Sequence, residues 1–315
     1  MIRILKKEKQ LFINLQISCI HPKQRRLVMT ATELIHLTYD GNFQLKTDAN
    51  VILCKVIPAE DESLPSDADD KTTVRVELQL DKTSMHPQGG GQPTDLGVIE
   101  SNSESDGVYT ANIDKVTIDR ATGIATHSGS VVLSPSDNSV TADNIFPPNS
   151  SVKVSVDADN RQLLSECHTA GHVVDAAMAR CQKLLPPTKG YHFLDGPYVE
   201  YKGSIDIKDR EEFLSRLKEA YQELINEDID TQIQTLPVDE AEELCNRLAQ
   251  NFNMKDFTSP ADENPSVRVV TVAGWNCPCG GTHVKSTGVL KERGWSVKGL
   301  RCKKGVVRVR YGPEE

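Results

Sequence analysis

The residues best equipped for chemistry fall in three short stretches. Residues 275–284 read WNCPCGGTHV, which places Cys277, Cys279 and His283 close together, with Gly280 and Gly281 letting the backbone turn sharply among them. Residues 168–172 read HTAGH. His168 and His172 are therefore at i and i+4, and on a helix one turn brings both imidazoles to the same face. Cys279 and His283 repeat that spacing. Three imidazoles and one thiolate make a borderline-soft nitrogen and sulfur set that suits tetrahedral zinc. Cys277 is a rival for the thiolate position. Thr169 stands where H-E-x-x-H has its carboxylate, which argues against a hydrolytic metalloprotease. The third stretch, residues 81–97, reads DKTSMHPQGGGQPTDLG. No G-K-[ST] follows the glycines, so this is not a phosphate loop. A tight hairpin is one reading. The other is close approach to a ligand, because Gly89, Gly90 and Gly91 free the backbone beside the polar Gln92. His86, His127 and His192 are not at ligand spacing and are expected as surface or internally satisfied histidines.

These groups need elements to hold them. From about residue 30 to 155 the runs ANVILCKVI, TTVRVELQL, GVYTANIDKVTI and SVKVSVD are strand-like and bounded by Gly, Pro, Asn and Asp, which suggests a small barrel. PAEDESLPSDADD, with six acids and two prolines, reads as a surface loop. From Asp157 the period changes. Leu163, Leu164, Cys167, Ala170, Val174, Ala177, Met178 and Cys181 follow steps of three and four, predicting an amphipathic helix that carries both histidines. Asp159 or Asn160 can cap it, and Pro186-Pro187 ends it. YHFLDGPYVEYKGSI is strand-like. KDREEFLSRLKEAYQELINE and VDEAEELCNRLAQNF read as two further helices. VRVVTVAGW is a buried strand feeding the cysteine motif, and GVVRVRYG is a last strand.

Composition sets the limits. With 315 residues, 38% hydrophobic and 26% charged, the chain is globular and long enough for two domains. No apolar run reaches the roughly 18–20 residues of a membrane helix. The eight cysteines show no disulfide rhythm, which points to a reducing compartment. The net charge of −9 is the wrong sign overall for a nucleic-acid binder, yet residues 285–310 hold nine basic side chains against Glu292 alone. Either this is a solvated strand face or it contacts phosphates. Residues 1–28 carry seven Lys/Arg and one acid, and are expected to be a poorly ordered extension or an organellar targeting segment.

GGGQP in a β domain, H-x-x-x-H on a helix and CGGTHV before a final strand occur in that order. Together they resemble the editing portion of alanyl-tRNA synthetase, and specifically the free-standing editing proteins of the AlaX family. KGYHFLDGPYVEY is similar to that family's central strand, and the resemblance covers roughly residues 30–312. It implies an α+β chain: an N-terminal small β-barrel domain over 29–155, then an α+β editing domain over 156–315 of the threonyl/alanyl-tRNA synthetase second-additional-domain type. It implies zinc on His168, His172, Cys279 and His283, with Gln92, Thr83 and Thr169 near the amino-acid pocket. Met85, His86 and Gln88 replace an aromatic pair and an acid that the family usually has, and Gly171 stands where a threonine is common.

The implied activity is hydrolysis, in trans, of serine or glycine wrongly esterified to alanine tRNA, since nothing resembles an aminoacylation or anticodon-reading domain. Zinc would activate water, which needs an open position left by a loose His283 or Cys279. Otherwise it would orient the substrate while the Gly89–Gly91 backbone polarises the ester. The acceptor stem would lie on Lys298, Arg301, Lys303 and Lys304. A monomer in the cytoplasm is expected, with an organelle kept open by the leader. ATP binding is attached to the family only as a general term. The alternative is a catalytically silent, zinc-containing adaptor that binds tRNA or protein.

Overall fold

The computed structural model describes residues 31–57, 72–101, 109–133, 141, 145–258 and 264–314. The basic leader 1–28 and the acidic stretch 58–70 lie outside the described residues. The N-terminal part runs β1 (Glu33–Leu34), α1 (Tyr39–Asn42), β2 (Lys46–Ile57), β3 (Thr72–Leu80), β4 (Lys82–Thr83), β5 (Gly97–Ser101), β6 (Thr110–Asp119), β7 (Ile124–Leu133) and β8 (Ser151–Val156). Six of these close into a barrel of antiparallel neighbours in the order β2-β3-β7-β6-β5-β8. Alternation drives closure: Val152, Val154 and Val156 of β8 turn inward, with Val76, Leu78 and Leu80 of β3 and Val131 of β7 in the same core. Full closure leaves no sheet edge exposed.

Two barrel strands escape the sequence reading. β5 follows the glycine stretch and is short. β7, IATHSGSVVL, places Ala125, His127, Gly129 and Val131 inward, so its buried face lacks a hydrophobic signal. His127 is fully buried there, with Nδ1 3.2 Å from the Leu78 carbonyl and Nε2 2.9 Å from the Thr83 hydroxyl. Burial lowers its pKa to about 4. The unfolded chain, near 6.5, binds the proton more tightly than the native state. Its neutral form therefore stabilises the fold fully above pH 6.5, and that contribution fades as pH falls toward 4. The full shift corresponds to roughly 3 kcal/mol. The stability lost between pH 7.5 and 4.5, read from urea titrations, should be smaller in His127→Gln than in wild type by much of this amount; equal pH dependence would refute the assignment.

The second part runs α2 (Ala158–Arg180), β9 (Pro187–Tyr191), β10 (Tyr198–Lys202), α3 (Arg210–Asn226), β11 (Gln232–Pro237), α4 (Val238–Asn246), β12 (Ser266–Val272), β13 (Trp275–Pro278), β14 (Ser296–Lys303) and β15 (Val306–Gly312). Two sheets form, in the orders β14-β15-β10-β9 and β11-β12-β13. α2 differs from expectation in three ways. Asp157 is its cap, accepting from the Asn160 amide at 3.0 Å, rather than Asp159 or Asn160. It stops at Arg180, well before the prolines, because Gln182 turns left-handed at φ 58. The Lys183 amide then bonds the Met178 carbonyl and the Gln182 amide bonds that of Ala179, which is a Schellman stop. Finally, α2 is buried on every side from Leu164 to Met178 rather than along one stripe. It is the central post, packed against α3, β10, β12, β13 and β15. The run 191–205 is a hairpin arm and its turn rather than one strand, and α4 ends at Asn246 rather than near 252.

Candidate metal centre and active-site cleft

α2 presents His168 and His172 toward the Cys279–His283 turn that follows β13. One ligand atom from each of His168, His172, Cys279 and His283 lies within 4.8 Å of the others, and all four residues are buried. The Cys279 Sγ is 3.4 Å from both His168 Nε2 and His283 Nε2. Zinc–sulfur and zinc–nitrogen bonds of about 2.3 and 2.05 Å at a tetrahedral angle put sulfur and nitrogen about 3.5 Å apart, so this pair of separations fits a shared ion. Both ring nitrogens of His172 are buried without a hydrogen-bond partner. That is costly unless something binds there. Cys277 stays outside this group; its thiol faces the Pro278 carbonyl at 3.6 Å.

Burial keeps the imidazoles neutral, as metal binding requires. His168 and His283 are held well below their usual value and His172 at about 4. Burial pushes the Cys279 thiol up, while Arg268 and the Gly281 amide pull it down. Tautomers can be read from the partners. Gln92 Oε1 accepts from the Thr282 amide at 2.9 Å and is therefore the oxygen; it lies 2.7 Å from His168 Nδ1. Nδ1 must carry the proton, leaving Nε2 unprotonated toward Cys279. Gln92 Nε2 donates to the Thr282 hydroxyl at 2.9 Å. Thr169 Oγ1 accepts from the Val284 amide at 3.1 Å and is 3.2 Å from His283 Nδ1. Gln92 and Thr169 thus orient two imidazoles of the donor cluster.

The barrel side reaches into the site through residues the sequence did not flag. Asn42, at the end of α1, clamps the His283 backbone from both sides, Nδ2 to the carbonyl at 2.8 Å and Oδ1 from the amide at 3.0 Å. Arg161 Nε is 3.0 Å from both Asp95 oxygens, and the guanidinium also donates to the Ser84 and Asn42 carbonyls at 2.6 and 3.4 Å. Asp95 accepts in turn from the His86 amide. A single acid after GGGQPT and a single Arg early in a helix carry no sequence signature, which is why they were missed.

A cleft of about 720 Å³ is lined by residues of both parts, His168, His172 and Cys279 together with His36, His86 and Gly90. His86 and His192 are buried, not surface histidines. His86 packs edge-on against His36 at 5.0 Å, and His192 stacks on His168 at 4.2 Å while its Nδ1 meets the Tyr311 hydroxyl at 2.5 Å. Asp175 also lines the cleft. It accepts from the Tyr201 hydroxyl at 2.6 Å and lies 3.7 Å from His172 Nδ1; burial pushes it up to about 7. A Cβ on Gly171 would meet the His192 ring at 2.5 Å, so the glycine makes room for that imidazole. Gly91, at φ +82, needs to be glycine because a Cβ would strike the Gly190 carbonyl oxygen at 2.4 Å.

Gly89 also lines the cleft, with its amide donating to the Gln92 carbonyl. Other sequence candidates lie outside the cleft lining. Thr83 is buried with its hydroxyl between His127 and the Met85 amide and is not part of the cleft wall. Lys298, Arg301 and Lys303 are exposed on β14 and Lys304 in the turn after it, away from the cleft lining.

Residues 267–310 match the family model for the threonyl and alanyl tRNA synthetase second additional domain. The chain is 27% identical over 220 residues to an alanine–tRNA ligase of Pyrococcus abyssi, covering 68% of this chain and 21% of the ligase. It is 29% identical over 224 residues to the alanyl-tRNA editing protein AlaX-L of Pyrococcus horikoshii, covering 69% and 47%. It thus spans about a fifth of the ligase and about half of AlaX-L. The alanyl-tRNA editing protein AlaX-M of Methanosarcina acetivorans is 30% identical over 224 residues, with 71% of this chain and 81% of the relative covered. On that similarity, and with the three motifs converging on one cleft, the chain belongs to the AlaX family of alanyl-tRNA editing proteins.

Proposed function

We propose that this protein hydrolyses, in trans, the ester of misacylated alanine tRNA carrying serine or glycine, with zinc on His168, His172, Cys279 and His283. The observation that carries this reading is Gln92. One side chain from the glycine loop fixes the His168 tautomer and the Thr282 backbone, joining both halves of the family's motif set at one donor cluster. When bound, zinc would polarise the ester carbonyl or lower the pKa of a water.

The chain's own residues do the rest. Gln92 and Thr169 aim the ligand imidazoles, and Asp175 stands behind His172. Gly90 lets the backbone approach the ester closely. A synthetase pocket separates small side chains weakly by binding alone, so a second hydrolytic site is needed. Polar groups in that site bond a seryl hydroxyl and are left unpaired by alanine, a difference that reaches about 10⁴–10⁵ where a site is built around the hydroxyl. His86 and His36, which line the same cleft as the donors, are the polar groups we assign to it.

Deacylation of seryl-, glycyl- and alanyl-tRNA with and without a chelator tests the reading. Seryl-tRNA should be cleaved, alanyl-tRNA spared, and the chelator should abolish cleavage; intact seryl-tRNA would overturn it. Gln92→Ala should lower zinc affinity by about 10–100-fold, as loss of an outer-shell partner does. Competition with a chromogenic chelator reads this directly, and wild-type affinity would remove the tautomer argument. Acceptor-stem phosphates are proposed to lie on Lys298, Arg301, Lys303 and Lys304. Replacing Lys303 and Lys304 by alanine should reduce the slope of log K against log salt by about 2, and an unchanged slope would place the tRNA elsewhere.

A further inference from the structure

The sheet β14-β15-β10-β9 has two unlike faces. Val199, Tyr201, Val307 and Val309 turn inward and join the core around α2. Strand alternation sends the residues between them outward. That outer face carries Lys189, Lys202, Arg301, Lys303, Arg308 and Arg310, in a chain of net charge −9. Its acids are Glu200, which pairs with Arg308, and Asp195, which accepts from the Tyr191 hydroxyl. Among the described residues no acid pairs with Lys189, Arg301 or Arg310. Arg301 and Arg308 are direct cross-strand partners. Like charges so placed are destabilising, so the arrangement calls for an anion from outside the fold.

Aromatic rings fix two of these cations. Phe193 stacks on Tyr191 at 4.7 Å, and Tyr191 stacks on its cross-strand partner Tyr198 at 5.2 Å. The Arg308 guanidinium lies over the Tyr198 ring at 4.0 Å, and Lys189 Nζ is 5.6 Å from the same ring. Arg308 donates Nε and Nη2 to Glu200 at 2.8 and 2.6 Å, while its Nη1 makes no hydrogen bond among the described residues. A guanidinium held this way is ordered before a ligand arrives, which lowers the entropy cost of binding.

In register, Lys189, Glu200, Arg308 and Arg301 form one row across the sheet. Three strand-to-strand steps of about 4.8 Å make that row about 14 Å long. An extended nucleotide repeat, a zigzag of bonds of about 1.5 Å, is about 6–7 Å long, so the row spans about two repeats. The row ends at the cleft, since Pro187, Thr188, Lys189 and Gly190 of β9 line it. We propose that this face is an RNA-docking surface, over which the sugar-phosphate backbone runs from β14 past Arg308 to Lys189 at the cleft rim. Its continuity with the cleft and its row of cations at backbone spacing carry the assignment. The choice of RNA as the polyanion rests on the deacylase reading, which brings an RNA end to that cleft.

The probe is unacylated alanine tRNA, labelled for fluorescence anisotropy and titrated with the full chain across a salt series. Lys189→Ala/Arg310→Ala removes two exposed cations of this face. It should lower the slope of log K against log salt by about 1.4–1.8, at 0.7–0.9 per phosphate, with zinc content unchanged. Lys55→Ala/Lys153→Ala removes the same charge from the barrel surface and should leave the slope as in wild type. Bound tRNA should also protect Lys189 from acetylation. An unchanged slope in the first pair, an equal fall in the barrel pair, or an unprotected Lys189 would each overturn the assignment. So would displacement of the tRNA by polyglutamate at matched charge, which would make the face a site for acidic peptides. No step of this test needs hydrolysis. A protein that cleaves seryl-tRNA yet fails it loses only the docking surface, and one that passes it but leaves seryl-tRNA intact loses only the deacylase reading.

Discussion

Cys279→Ala is expected to empty the metal centre and, on the proposed deacylase reading, to abolish seryl-tRNA hydrolysis, while Cys277→Ala keeps the metal. The two thiols are two residues apart, yet only Cys279 sits with both imidazole Nε2 atoms at 3.4 Å. An apparent 10–16 kcal/mol for a four-ligand zinc site averages about 3 kcal/mol per ligand, so affinity should fall on the order of a hundredfold or more. The loss should extend to stability, because neutral buried imidazoles would then face one another with nothing between them. Metal analysis of the two purified variants decides the matter. Full zinc in the Cys279 variant, or an empty Cys277 variant, would reverse the ligand assignment.

Arg161→Ala should be the most damaging change outside the donor set. Arg161 and Asp95 are both almost wholly buried, and one guanidinium also satisfies the Ser84 and Asn42 carbonyls. Removing one member of a buried pair strands the other charge, at about 3–5 kcal/mol. Total stability of a domain is about 5–15 kcal/mol, so the variant should unfold at much lower urea. Because Asn42 in turn holds the His283 backbone, zinc affinity should fall too. The double variant Arg161→Met/Asp95→Leu removes both charges and should recover part of the stability. A single variant within 1 kcal/mol of wild type would mean that the pair is not a latch.

The donor set was legible in the sequence because it obeys local spacing: His168 with His172, and Cys279 with His283, are each one turn or one tight loop apart. Strongly alternating strands such as β3 and β8 were legible for the same reason. Gln92 was singled out from its glycine run, but its partners lie 76 and 190 residues away, and only folding defines them. β7 was hidden because its inward positions are filled by His127 and Gly129. The burial of α2 on all sides was hidden because its histidines, Thr169 and Asp175 lower its apolar count while pointing at the site. Asn42, Arg161 and Asp95 act through backbone carbonyls and amides and through an ion pair between positions 66 residues apart, which leave no trace in residue pattern.

Only Asp157 separates the last barrel strand from the central helix, and that residue is tethered twice: its side chain caps α2, and its amide bonds the Leu96 carbonyl at 2.9 Å. A joint so short and so fastened has no slack for the two halves to swing apart. Admission of a ligand to the cleft then falls to the rim segments and side chains around its mouth, and the donor geometry is set in advance. On the proposed deacylase reading, binding should bring little domain motion, and turnover should be limited by loading or release rather than by closure.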